Sequence, residues 1–152
     1  MVVSALEAGK NVVTANKALM ATHGEEVMQL AEKMNRELAF EASVGGGIPI
    51  IDPLKHSLIS NEITSVMGIV NGTTNYMLTR MVDDNLSYDE ALKEAQERGF
   101  AEADPTADVD GFDAAAKIAI LASIAFNSRV TLDDVHTEGI RNITTLDLDT
   151  AD

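Results

Sequence analysis

Two rhythms of apolar and polar residues alternate along this chain. In VVSALEAGK (2–10), Val2, Ala5 and Leu6 recur at helical spacing and Gly9 stops the run. NVVTA (11–15) is a β-branched run, expected as a short buried strand. Thr22 with Glu25 three residues on predicts a capping box, followed by a stripe of Val27, Met28, Leu30, Ala31 and Met34. ELAFEASV (37–44) alternates loosely and predicts the next strand, which Gly45, Gly46 and Gly47 break. Ile48 and Pro49 predict a helix start, with Pro53 in its first turn and a half or at a kink. EITSVMGIV (62–70) predicts a further strand, and NGTTNYMLTRMVDD (71–84) a turn and a helix. Ser87 and Glu90 predict a second capping box, for a helix ending at Gly99. After an acidic loop holding Pro105, a long helix is expected from about Gly111 to Asn127. VTLDDVHTEGIRNIT (130–144) is ambiguous, and TTLDLDTAD (144–152) begins an element that the chain does not finish. Strands and helices alternate, so both layers are expected.

The 152 residues are the size of one domain, and 45% apolar content with mixed charge is that of a soluble globular protein. Twenty-five acids against 11 bases give a net charge of −14, which argues against nucleic acid or an anionic membrane surface as a partner. Cysteine is absent, which excludes disulfides, zinc–thiolate sites and a cysteine nucleophile. His23, His56 and His136 lie far apart and form no metal-binding pattern. No basic leader precedes an apolar core, and the longest apolar run, IAILASIAF (118–126), is too short to span a bilayer. A cytoplasmic location is the expectation.

The densest chemistry lies in GFAEADPTADVDGFDAAAK (99–117), where Glu102, Asp104, Asp108, Asp110 and Asp113 precede Lys117. On a helix beginning near Asp110, Asp113 and Lys117 stand at i and i+4 on one face. The bland reading is an acidic first turn suited to the helix dipole and a surface ion pair. The functional reading is a lysine beside an apolar helix, placed to give a proton to a carbonyl oxygen, with acids that hold a substrate ammonium. TANK (14–17) brings Lys17 to the carboxyl end of a strand, where α/β sheets bind ligands, though an exposed loop lysine fits equally. In EASVGGGIP (41–49) the dinucleotide fingerprint fails at Ile50, and no Walker pattern is present. Three glycines there let carbonyls turn inward to a hard cation, admit a close backbone, or make a plain turn. NGTTN (71–75) offers hydroxyls and N–H groups at a helix start, an anion or hydroxyl site or simply a cap.

VVTANKALMA, FEASVGGGIPII, GIVNGTTNYML and GFAEADPTADVDGFDAAAKIAILA, in this order and spacing, resemble homoserine dehydrogenase across nearly the whole chain. The resemblance implies NAD(P)H-dependent, reversible reduction of aspartate 4-semialdehyde to L-homoserine, and a homodimer. It implies an open sheet with helices packed on one face, preceded by the last βα piece of a Rossmann-type domain, divided as 1–36 and 37–152. By the same resemblance Lys117 is the proton donor and acceptor at the substrate oxygen, and Asp113, Glu102, Asp108 and Thr73 bind substrate. Lys17 and Gly99 adjoin the nicotinamide cofactor. Glu41, Val44, Gly46 and Ile48 match a loop that ligates a monovalent cation such as sodium, mainly through carbonyls. The family's glycine fingerprint and first βαβ units are not in this sequence, nor is a regulatory domain. The expectation is a portion of a longer protein that carries most substrate-site residues yet turns over slowly or not at all. The competing readings are a non-catalytic acidic α/β dimerisation module and a sugar or semialdehyde dehydrogenase of similar plan.

Overall fold

The computed structural model describes Met1–Ala151, and the chain folds as two compact units, each assembled from two stretches of sequence. The first comprises Met1–Gly68 and Ala116–Val135; the second comprises Ile69–Ala115 and the chain from His136 onward.

In the first unit, α1 (Val2–Glu7) buries Leu6 against Val27 and Ala31 of α2 (Lys17–Lys33). Gly9 follows at φ +74°, the left-handed conformation that ends the helix without Cβ strain. Strand β1 (Val12–Val13) pairs in parallel with β2 (Leu38–Ala39), Val12 opposite Leu38, and α2 makes the crossover that parallel pairing requires. The expected α/β class is therefore present, with a ladder of two strands.

Two expectations are corrected here. Helix α2 does not start at Thr22: it starts after Asn16, whose Oδ1 accepts from Leu19 N–H at 3.0 Å. Burial of Met20 and Ala21 favours helix from Lys17 onward, and the signal read as a start survives only as a kink at His23 (φ −126°). Thr22 Oγ1 instead donates back to the Ala18 carbonyl, and Glu25 accepts from Gln29 and pairs with Arg129. Residues 62–70 take no regular secondary structure and join no ladder among the described residues, with Met67 at 95% and Ile69 at 79% exposure. Alternating composition makes a strand possible; a neighbouring backbone is needed to make it one.

After β2 the chain makes a short 3₁₀ turn, Glu41–Ser43. The Glu41 carboxylate then reaches across the glycine loop. Its Oε1 accepts from the N–H groups of Ile50 (2.5 Å) and Ile51 (2.9 Å), and Oε2 from that of Asp52 (2.7 Å). These are the orphan donors of the wide helical turn at Pro53–Ser57, so an acid nine or more residues away caps it. Burial raises the Glu41 pKa, but the three amide bonds outweigh it and hold the carboxyl below its ordinary 4.5. Phe40, Val44 and Ile51 then join Met20, Ala116, Ile120 and Leu121 in the core of this unit.

In the second unit, α3 (Gly72–Asp84) and α4 (Tyr88–Glu97) pack Met77 and Met81 against Ala91 and Ala95, with Val109 in the same core. The alanines let the two helices approach closely, and the methionines fill the remaining space. Asn85 turns the chain at φ +52°, and the Ser87–Glu90 capping box forms as expected. A four-residue helix, α5 (Thr106–Val109), interrupts the acidic loop before α6 (Phe112–Ala125). The ambiguous tail is ordered by two capping boxes, Thr131–Asp134 in the first unit and Thr144–Asp147 in the second, the latter opening α7 (Thr145–Asp149). Ile140 N–H donates to the Val109 carbonyl at 2.8 Å, and Arg141 pairs with Asp110. A Cβ on Gly139 would lie 2.5 Å from the Val109 carbonyl oxygen and 2.7 Å from Asp110 Cα, so only glycine fits. Among the described residues no helix is long and apolar enough to cross a membrane.

Gly139→Ala should therefore cost about 1–3 kcal/mol, because backbone rather than a flexible side chain must yield. Gly68→Ala, with open space around it, should cost under about 0.5 kcal/mol. Urea denaturation midpoints compare the two. Glu41→Gln should lower stability by about 1–2 kcal/mol at neutral pH. Since the folded-state pKa of Glu41 is depressed, its contribution is present above 4.5 and lost as pH falls through the folded value. The gap between the two proteins should thus narrow as the pH falls below 4.5, measured by the same midpoints in a pH series.

Candidate active site

The glycine loop takes its shape from local chemistry. Ile48 N–H closes a turn onto the Gly45 carbonyl at 2.7 Å, and Gly45 and Gly47 sit at φ +60° and +82°. Gly45 and Gly46 form one wall of a cavity of about 470 Å³. Asn16 and Lys17, at the carboxyl end of β1, form another; Ser43 and Lys117 complete it. Lys17, Gly46 and Lys117, which lie far apart in sequence, thus line one cavity in the first unit. Its volume is within the range of small-molecule sites. Lys117 is half-buried because Ala116 and Ile120 on its helix anchor in the core.

Ser43 was not foreseen from sequence. It is 3% exposed, and its Oγ has no hydrogen-bond partner among the described residues. A buried hydroxyl left in that state costs about 1–3 kcal/mol. No pattern in EASVGGG could have set this serine apart from its neighbours.

Of the proposed cation ligands, Glu41 has both carboxylate oxygens engaged by backbone N–H groups. That leaves its side chain a capping role. Val44 is buried, while Gly46 and Ile48 lie exposed on the loop.

In the second unit the structure joins two expected substrate residues through Asn71, which the sequence offers as part of an anion or hydroxyl site or as a cap. Asn71 begins α3, and its Oδ1 accepts from Thr74 N–H (2.8 Å) and Thr74 Oγ1 (2.9 Å). Its Nδ2 donates to Asp108 Oδ1 at 2.6 Å and to Asp113 Oδ2 at 3.0 Å. The cap was visible in NGTTN. The reach to carboxylates 37 and 42 residues away was not. Thr73 is buried beside it and donates to the Phe100 carbonyl at 2.8 Å, which fixes the backbone next to Gly99. Gly99 itself ends α4 at φ +76°. Glu102 has an exposed side chain, and its carbonyl accepts from the Gln96 amide at 3.1 Å. Asp113 and Lys117 stand one turn apart on α6, as the spacing predicted.

The chain matches the family model described as homoserine dehydrogenase over residues 49–152. A second model, the homoserine dehydrogenase NAD binding domain, matches residues 1–41. Among curated proteins, homoserine dehydrogenase of Corynebacterium glutamicum is 57% identical over 151 residues, which is 99% of this chain and 34% of the relative. That of Mycobacterium bovis is 56% identical over 150 residues, again 99% of this chain and 34% of the relative. The crystal structure of a homoserine dehydrogenase from Thiobacillus denitrificans superposes with a TM-score of 0.95 at 46% identity. It covers 97% of this chain and 34% of that one. The chain spans about a third of the length of the curated relatives it matches. A family model over two thirds of the sequence, on a fold shared with a solved member, places the chain in the homoserine dehydrogenase family.

Proposed function

We propose that these residues carry the substrate-side chemistry of a homoserine dehydrogenase, the reversible NAD(P)H-dependent reduction of L-aspartate 4-semialdehyde to L-homoserine. The observation that carries this reading is Lys117. It is half-buried, lines a cavity with Lys17, and follows Asp113 by one turn of α6. Asn16, Lys17 and Lys117 give the cavity lining polar groups, which fits a ligand that carries hydrogen-bonding groups.

When bound, the nicotinamide cofactor supplies or takes the hydride. As the aldehyde oxygen gains charge, Lys117 gives it a proton from Nζ; in the reverse direction the lysine takes that proton from the hydroxyl of homoserine. The ammonium also stabilises the developing alkoxide. Glu102, Asp108 and Asp113 accept hydrogen bonds from the substrate α-ammonium, and Thr73 lies with them. Lys17 and Gly99 adjoin the nicotinamide. Glu41, Val44, Gly46 and Ile48 hold a monovalent cation such as sodium through carbonyls. The turn commits the Gly45 carbonyl to Ile48 N–H, which suits a ligand set that skips residue 45. Residues 1–36 close a nucleotide-binding domain and 37–152 belong to the catalytic and dimerisation domain of a cytoplasmic homodimer. The exposed Met67 and Ile69 favour a second reading, an acidic module that pairs with other chains without catalysis.

In the full-length protein carrying this sequence, Lys117→Ala should reduce turnover of aspartate semialdehyde by about 10²–10⁴-fold. Lys93→Ala, which removes an exposed pair with Glu97, should change it less than about twofold. Absorbance of NAD(P)H measures both, and equal losses would make Lys117 an ordinary surface lysine. Titration calorimetry with L-homoserine should give a saturable signal; its absence favours the non-catalytic module.

A further inference from the structure

Two carboxylates that share one neutral donor need a reason to stay together. Asp108 lies on the short α5 and Asp113 in the first turn of α6, and both are half-buried. Like charges at this separation repel, and burial strengthens the repulsion. Asn71 meets both. Its amide can make four hydrogen bonds, two as donor and two as acceptor, and all four are made. The orientation of that amide is settled by its surroundings. Thr74 N–H can only donate, so it must face Oδ1, and the two hydrogens on Nδ2 are left for the two acids. The residue is 8% exposed and sits at the rigid start of α3.

We infer that Asn71 is a positioning residue. Its amide clamps Asp108 and Asp113 as a single acceptor pair, so that a substrate ammonium meets both carboxylates already oriented. This rests on the homoserine dehydrogenase reading for what the pair binds; the clamp itself rests on the hydrogen bonds. Asn71 engages one oxygen of each acid, Oδ1 of Asp108 and Oδ2 of Asp113. Asn71 carries no charge, so it holds the acids without cancelling the negative potential that an ammonium seeks. A lysine in its place would hold them as well and neutralise half of their charge. Pre-orientation of this kind lowers the ordering cost of binding.

The discriminating variant is Asn71→Asp. Aspartate caps a helix as well as asparagine, so the bond to Thr74 N–H survives while the donor to the acids becomes a third carboxylate. In the full-length enzyme the KM for homoserine should rise about tenfold or more, while the KM for the nicotinamide cofactor stays within about twofold; the third carboxylate adds repulsion, so the thermal midpoint falls as well, and the split between the two KM values is the readout that a purely structural role would not give. Asn71→Ala, which loses cap and clamp together, should raise the homoserine KM and also lower the midpoint. Asn71→Asp with an unchanged homoserine KM overturns the inference. So does a parallel rise in both KM values that tracks lost stability, since a purely structural role would give that. A second measurement needs no substrate. The carboxyl ¹³C resonances of Asp108 and Asp113 should both move in Asn71→Ala, with that of Asp147 in its separate capping box unmoved. If they stay in place the clamp is wrong, whatever the substrate proves to be. If they move and wild-type protein binds no homoserine, the clamp stands and the proposed reaction falls.

Discussion

Helix α6 has to bury an almost unbroken apolar face, and the rest of the chemistry follows from where that burial holds it. Ala116, Ile120 and Leu121 anchor it among Met20, Phe40 and Ile51. With those positions fixed, helical geometry leaves no freedom for their neighbours. Lys117 emerges beside Ala116 at the margin of the core, half out of water, and Asp113 stands one turn before it. A polar substitution at Ala116 or Ile120 would turn or shift the helix and move the lysine, even though neither residue has chemistry of its own.

A chain with 25 acids and 11 bases cannot satisfy its carboxylates with cations. It satisfies many with neutral donors instead. Backbone amides hold Glu41, and an asparagine amide holds Asp108 and Asp113. Hydroxyl and backbone donors of capping residues hold Glu90 and Asp147 below their ordinary pKa values. Such bonds order the acids without discharging them, so local structure and a negative field coexist.

The sequence displayed whatever depends on neighbours in the chain. The glycine stops, the Ser87–Glu90 box, the helices over α3, α4 and α6, and the Asp113–Lys117 spacing are all local and all legible. The misreadings arose where a distant partner decides. Thr22 and Glu25 satisfy a start pattern, yet core packing of Met20 and Ala21 carries the helix through them. Residues 62–70 have the composition of a strand and no backbone to pair with among the described residues. The tail is ambiguous by apolar periodicity, although Thr131–Asp134 and Thr144–Asp147 carry the same capping pattern as Ser87–Glu90. Within the candidate site, the lysines and acids announced themselves by type. Asn71 and Ser43 did not, because a cap residue and a small loop residue look alike wherever they occur.

Each compact unit is built from two separated stretches of chain, and this sets an order on biosynthesis. Phe40, Val44 and Ile51 can pack early on Met20 and Ala21, but their core is complete only when Ala116, Ile120 and Leu121 have left the ribosome. At roughly 5–20 residues per second, that leaves an incompletely covered apolar surface on the nascent chain for on the order of several seconds. The amide bonds of Glu41 close over residues 41–52 alone and can form during this wait. They would hold the loop in shape while the surface beside it stays open to chaperones.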